Sequence, residues 1–148
     1  MADETRNVNQ SFVKRVVAQL DATETVVYPG LNADKSGYNS WVEPRILGRF
    51  PRASRKTQRH EVWRFQVDCY ANVDKALATV VEIDKHWQLA DAVIAAFDQI
   101  DFAIQDWQTG GNPTLGFMRC SEVEVIEISS GDPNLLRTVC TFHGDFII

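Results

Sequence analysis

The chain has 148 residues, of which 45% are hydrophobic and 24% are charged, and its formal net charge is −5. This composition is typical of a folded globular protein and excludes a disordered chain, and the length predicts a single domain over residues 1–148. No apolar run approaches the roughly 20 residues that span a bilayer, and residues 1–6 contain no apolar signal core, so we expect neither a membrane segment nor export. Three cysteines fit buried free thiols in a reducing compartment: Cys69, Cys120 and Cys140.

The charge is unevenly distributed along the chain. The segment from Arg45 to Arg59 contains no acidic residue and six basic ones, namely Arg45, Arg49, Arg52, Arg55, Lys56 and Arg59. The rest of the chain has nine basic and 20 acidic residues, a balance of −11. A basic segment on an acidic body predicts that copies attract each other, or that the segment binds a second acidic partner. A protein that coats duplex nucleic acid would be basic over more of its surface.

The N-terminal part predicts one helix and one short strand. Residues 1–10 are polar and predict a flexible arm. Ser11 is a candidate N-cap for an amphipathic helix that ends near Ala22. Thr25–Tyr28 is β-branched and reads as a short strand ended by Pro29-Gly30, and 31–40 is a polar loop. The apolar face of the helix is predicted to contain Phe12, Val13, Val16, Val17 and Leu20.

A long β-hairpin follows. Its strands are predicted at Trp41–Phe50 and His60–Tyr70, joined by the basic loop Pro51–Arg59, which we expect to project well outside the domain. Pro44 indicates an edge strand or a bulge, because proline has no N–H to donate to a neighbouring strand. Alternation in the second strand places Trp63, Phe65, Val67 and Cys69 in the core, and Arg64, Gln66, Asp68 and Tyr70 on the other face.

The C-terminal half predicts a long helix and three strands. The helix would run from about Asp74 to Phe97, about 36 Å at 1.5 Å per residue. Strands are predicted at 98–107, at Gly116–Ile128 with a bulge near Val125, and from Leu136 to the C-terminus. The buried stripe of the helix is predicted to be Val80, Ile83, Trp87, Ala90, Ile94 and Phe97. The whole predicts an α+β fold, with a mostly antiparallel sheet covered by a short N-terminal helix and a long central helix.

The sequence contains no recognisable catalytic or cofactor motif. Cys140 and His143 are three residues apart, and this spacing on a strand places them on opposite faces, so they are not expected to share a metal ion. The pair Gly110-Gly111 leads to Pro113 and not to a phosphate-binding helix, and no nucleophile elbow is present. We therefore predict a protein that is not an enzyme and has no metal and no cofactor.

Two other groups of residues are candidates for surface contacts. Glu122 and Glu124 share one face of a predicted strand, which makes them a solvated face or an acidic docking face. Of the four tryptophans, Trp63 and Trp87 follow apolar periodicities and are predicted to be core, whereas Trp41 and Trp107 could stack on nucleic acid bases.

In this order of elements the chain resembles the tail terminator (tail completion) proteins of long-tailed bacteriophages. The resemblance is carried by the amphipathic helix around Phe12–Leu20, the strand Glu61–Ala71, the long helix from Asp74 and the closing strands to Ile148. It is a likeness of layout over most of the chain, with no catalytic signature. The polar N-terminal arm and the strongly basic segment Arg45–Arg59 depart from the family pattern.

The resemblance implies a virion protein of the tail or neck that is assembled in the host cytoplasm. Such a protomer forms a ring, with six copies, that caps the tail tube, stops its polymerisation and joins it to the head. Its partners would be itself, the tail tube protein, a head-closure or connector protein and the tape-measure protein. Other readings are another neck component, or a small-molecule-binding domain whose ligand lies between the sheet and the long helix.

The basic segment has three readings. It contacts a neighbouring subunit or the tail tube, it is a solvated turn whose charge aids solubility, or it contacts DNA in the lumen of the ring. The DNA contact would be independent of sequence and strongly salt-dependent.

Overall fold

The computed structural model describes residues 4–20, 25–26, 40–55, 58–72, 84–129, 131–132 and 134–147. Within these ranges it has two helices and six strands, and the predicted α+β class with a mostly antiparallel sheet is confirmed. The helices are α1 (Glu4–Gln19) and α2 (Lys85–Phe97). The strands are β1 (Thr25–Val26), β2 (Ser40–Arg55), β3 (Gln58–Asn72), β4 (Asp101–Gln105), β5 (Thr114–Glu127) and β6 (Leu135–Ile147).

The strands form one sheet in the order β1-β2-β3-β6-β5-β4. Among the pairings between the described strands, only the short one of β1 with β2 is parallel. The C-terminal strand β6 lies between β3 and β5, so the end of the chain is in the middle of the sheet. Pro44 is on β2 beyond Val42, where β1 no longer pairs, and among the residues described this part of β2 is an edge, as predicted.

The hairpin is more regular than expected. β2 and β3 remain paired as far as Arg55 and Gln58, so most of the predicted loop Pro51–Arg59 is strand, and residues 56–57 lie outside the described ranges. β6 accompanies β3 up to the pair His60 and Ile147. Since Ala53 pairs with His60, residues 54–55 and 58–59 are the described part of the hairpin that extends beyond β6. The predicted long β-hairpin is confirmed, and its backbone pairing continues beyond the apolar pattern of the sequence.

The first helix starts earlier than predicted. Asn7, Val8 and Ser11 are buried inside α1, so Ser11 is not an N-cap and residues 4–10 are not a flexible arm. The polar residues in this stretch have a structural reason. Ser11 Oγ accepts hydrogen bonds from the backbone N–H of Gln105 and from the indole Nε1 of Trp107, both at 3.0 Å. Val17, predicted on the apolar face, is exposed.

The second helix is described from Lys85, and the predicted start at Asp74, with Val80 and Ile83, lies outside the described residues. Its buried face is displaced from the predicted stripe. Trp87 is 37% exposed and is not core, whereas His86 is buried beside it. His86 Nδ1 contacts Thr138 Oγ1 at 2.5 Å, and burial lowers the pKa of His86. The buried residues of α2 are His86, Leu89, Ala90, Val93, Ala96 and Phe97.

The core between the helices and the sheet is built on aromatic rings. Phe12 of α1 lies 4.4 Å from Phe65, 5.2 Å from Phe97 and 5.8 Å from Phe142, measured between ring centroids. Trp63 is fully buried, as predicted, and the three cysteines are buried free thiols. These rings join both described helices to the sheet.

The bulge in β5 lies between Ser121 and Glu124, earlier than predicted. Glu122 has a φ of +54°, a left-handed conformation that glutamate rarely adopts. After the bulge Val125 packs against the core, and Ile126 is 52% exposed. The apolar pattern therefore changes at Ile126 because this apolar side chain is exposed, and not because β5 contains a second bulge.

Candidate functional site

The two faces of the sheet differ in what covers them. Both helices pack on the face that carries Phe65, Phe142 and Met118. We call the opposite face the outer face; no described helix covers it. Because side chains alternate along a strand, the outer face carries the charged residues of the central strands. These include Arg45, Arg64, Asp68, Glu122, Glu124, Arg137 and His143.

Arg45, predicted to belong to the partner-binding segment, instead contributes to an intramolecular cluster on the outer face. Asp68 is completely buried, and its Oδ2 lies 2.8 Å from Arg137 Nη2 and 3.6 Å from Arg45 Nη2. Gln66 Nε2 donates a hydrogen bond of 2.6 Å to the other carboxylate oxygen. We call these four residues the Asp68 cluster. Arg45 therefore neutralises a buried carboxylate within its own chain, and its role in partner binding stays a prediction.

Two aromatic side chains border the Asp68 cluster. The Tyr70 hydroxyl lies 3.4 Å from Asp68 Oδ2, and the ring of Trp41 stacks on Tyr70 with centroids 5.1 Å apart. Burial, reinforced by the charge of Asp68, raises the pKa of Tyr70 to about 12. Trp41 is 5% exposed. Its ring is committed to this stack and is not presented to a base.

Trp107 is also used structurally. Its backbone N–H donates to Asn7 Oδ1 at 3.0 Å, and the Lys14 ammonium lies 4.3 Å from the centroid of its ring. Together with the hydrogen bond from its indole to Ser11, these contacts hold α1 on the segment after β4. Neither Trp41 nor Trp107 therefore offers the stacking platform that the sequence left open.

The other five residues of the predicted basic segment divide into Arg49 and the four residues from Arg52 to Arg59. The guanidinium of Arg49 lies 5.4 Å from the centroid of the Trp63 ring, a distance at which a cation is attracted to the aromatic face. Arg52 and Arg55 are on β2 and Arg59 is on β3, whereas Lys56 lies outside the described residues. We call residues 52–59 the hairpin tip. Its four positive charges have no acidic neighbour in sequence, and its binding role stays a prediction.

A groove of about 230 Å³ opens on the outer face where β2, β3, β6 and β5 lie side by side. It brings together the two predicted acidic residues, Glu122 and Glu124. On the side of β2 it is bordered by Leu47, which is 51% exposed. The other polar side chains that line it are Arg64, Thr141 and His143. We call this site the outer groove.

A chain of hydrogen bonds orients the charged residues of the outer groove. Arg64 Nε donates to His143 Nε2 at 2.9 Å, and His143 Nδ1 lies 2.5 Å from Glu122 Oε2. Arginine is always protonated, so Nε2 accepts and the proton is on Nδ1, where it is donated to Glu122. The bulge that gives Glu122 its positive φ also directs its carboxylate towards His143. The groove therefore contains one histidine, two carboxylates and one guanidinium.

The sequence identified only half of this site. Glu122 and Glu124 were predicted, and Cys140 and His143 lie on opposite faces as expected, since Cys140 is core. Arg64 and His143 were missed as groove residues. Their position on the outer side of an alternating strand was visible, but their contact depends on the register of β3 against β6, which pairs Arg64 with His143.

Two features of the described residues bear on the chemistry of the chain. Within the described ranges, no group of three or more histidine, cysteine or acidic side chains is placed to hold a metal ion. Of the helices in the same ranges, none is long and apolar enough to cross a membrane.

Comparison with known proteins gives a likeness of fold. No family model matches the chain, and no curated protein matches it. A chain from a structure described as "Virion of native gene transfer agent (GTA) particle" matches with a TM-score of 0.58 and 12% identity, over 98% of this chain and 98% of that one. A second solved structure matches with a TM-score of 0.56 and 15% identity, over 96% and 94% of the two chains. At these identities the comparison shows a shared fold.

Proposed function

We propose that this chain is a structural protein of a phage-like virion, without catalytic activity. The observation that carries this proposal is the match to a chain of a gene transfer agent virion, which extends over 98% of both chains. A match of this extent aligns the two folds from end to end and does not depend on one common motif. The proposal also fits the outer face, where Asp68, Arg64 and His143 make contacts within the chain.

Within the virion, the role that we propose is that of a tail terminator. The order of helix, hairpin, helix and closing strands resembles that family, and the resemblance implies a ring of six copies on the head-proximal end of the tail tube. The partners would be the tail tube protein, the tape-measure protein and a head-closure or connector protein. Assembly would take place in the host cytoplasm, and the mature location would be the neck of the virion.

The charge distribution supports a ring. A contact between a basic surface and a different, acidic surface of the same chain is heterologous, and heterologous contacts close into rings when the rotation per subunit permits it. The basic tip and the acidic body of this chain provide two such surfaces. DNA contact by the tip in the lumen of the ring is compatible with this arrangement.

A second candidate is another neck component, such as a head-closure protein or an adaptor on the connector side. It is favoured by the same observation, because the matched chain belongs to a whole virion and the match assigns no particular part of the particle. The two candidates differ in which end of the neck the protein occupies.

The test has two measurements. Light scattering on the purified protein alone should give a mass six times the 16.7 kDa of the protomer. Tail tube protein polymerised with increasing amounts of the chain should give shorter tubes with one capped end. A strict monomer that neither binds tubes nor changes their length would contradict the proposal. Binding to a connector in place of the tube would favour the second candidate.

A further inference from the structure

We propose that neighbouring copies of this chain are joined by the hairpin tip of one copy docking in the outer groove of the next. The occupant of the outer groove is thus a second copy of the same chain. This inference rests on the proposed ring and names the surfaces that would form it.

The hairpin tip and the outer groove are complementary in charge. The hairpin tip carries Arg52, Arg55, Lys56 and Arg59 and no acidic residue. The outer groove holds two carboxylates against one guanidinium, and its histidine lies between Arg64 and Glu122. The side chain of Glu122 is 66% exposed, so its carboxylate is accessible to a partner. Opposite charges on two separate surfaces favour their encounter and fix the orientation of docking.

The hairpin tip is not able to fill the groove of its own copy. Arg59 of the tip and Arg64 of the groove are on the same strand, β3, five residues apart. A strand rises about 3.3 Å per residue, which separates the two positions by roughly 17 Å. The pairing of β2 with β3 continues as far as Arg55 and Gln58, so residues 52–55 and 58–59 extend the sheet away from the groove of their own copy.

The outer groove has an apolar rim beside its carboxylates. Leu47 lies in the bulge of β2 between Ile46 and Gly48 and is half exposed at the rim. An arginine or lysine side chain can cover such an apolar rim with its methylene groups while its charged end reaches a carboxylate. Glu122 is already oriented by His143, so less side-chain freedom is lost when it pairs. The groove thus fits a basic side chain that reaches in from outside.

Charge reversal tests this pairing. The groove variant combines Glu122→Lys with Glu124→Lys, and the tip variant combines Arg55→Glu with Lys56→Glu. The matched control, Asp91→Lys with Glu127→Lys, changes the net charge by the same amount as the groove variant at exposed positions outside the groove. Circular dichroism and thermal unfolding of every variant check that the fold is retained.

Association is measured by sedimentation velocity over a range of salt concentrations, alone and with tail tubes. We expect the groove variant and the tip variant each to associate about tenfold more weakly than the parent at low salt, with the control unchanged. Equimolar mixing of the two variants should restore association, because each reversed tip then meets a groove of opposite charge. A single chain that carries all four reversals should also assemble.

Three outcomes would overturn the inference. The groove variant could assemble like the matched control, the mixture could fail to recover, or the tip variant could lose binding to DNA in a mobility shift while its assembly is unchanged. The last result would assign the tip to nucleic acid. Failure of the parent chain itself to form any oligomer, alone or on tubes, would instead refute the proposed ring, so the two failures are distinguishable.

Discussion

Removal of the buried carboxylate at the centre of the Asp68 cluster should destabilise the protein strongly. In Asp68→Ala the guanidiniums of Arg45 and Arg137 lose their shared partner, which lies 3.6 Å and 2.8 Å from them. Loss of one member of a buried ion pair costs about 3–5 kcal/mol. The two arginine side chains are 39% and 25% exposed, and water can partly solvate them after the change. We therefore expect a loss near the lower limit, about 3 kcal/mol.

Urea denaturation gives the free energy of unfolding directly, and thermal unfolding should show a midpoint lowered by roughly 6–12 °C. The control is Asp101→Ala, which removes an ion pair between Asp101 and Arg119 whose side chains are both more than half exposed. Solvent screens that pair, so its loss should be much smaller. In the Asp68→Ala background, a further Arg137→Ala change should cost less than it does in the parent. The reasoning is refuted if Asp68→Ala is no worse than Asp101→Ala, or if the two changes are additive.

Three further predictions concern the core and the pH dependence of stability. Trp63→Ala should lower the free energy of unfolding measured in urea by about 3–5 kcal/mol, because the ring is fully buried. A loss under about 1 kcal/mol would show that the ring is not in the core. Gly144→Ala should cost about 1–3 kcal/mol, because a Cβ there would lie 2.7 Å from a ring carbon of Phe65 and against the Met118 side chain, and an unchanged denaturation midpoint would contradict this packing. The pKa of Tyr70 is about 12 in the folded protein, above its ordinary value of 10, so the unfolded chain loses this proton first and stability falls as the pH rises above 10. Tyr70→Phe should lack that fall when unfolding is measured against pH, and equal pH dependence in both proteins would rule out this origin.

The regular elements could be predicted because their signals are local. Alternation from Trp63 to Cys69 identified both the strand and its buried face. The same is true of the final strand, whose alternate residues Thr138, Cys140 and Phe142 are buried. These patterns depend only on which residues share a face of an extended chain, and the sequence contains that information.

The errors arose where polarity is explained by contacts that are distant in sequence. The polarity around Asn7 suggested a loose arm and Ser11 suggested a helix N-cap, yet both side chains are acceptors for the segment at Gln105–Trp107, about 100 positions later. Arg45 was grouped with its basic neighbours in sequence, but its partner Asp68 is on the adjacent strand.

The helix and the groove illustrate the same limit. His86 replaces Trp87 on the buried side because Thr138 of β6 satisfies it. Similarly, the outer groove depends on the register that places Arg64 beside His143 and on a bulge at Glu122. Periodicity alone contains neither fact.

An electron cryomicroscopy reconstruction of the neck of particles that contain the chain tests most directly the proposed ring at the junction of tail and head. We expect a ring of six copies on the head-proximal end of the tail tube, with residues 52–59 of each copy against Glu122 and Glu124 of the next. Density for this fold at another position in the particle would contradict the proposed ring, and a ring whose copies do not touch through these residues would contradict the proposed contact.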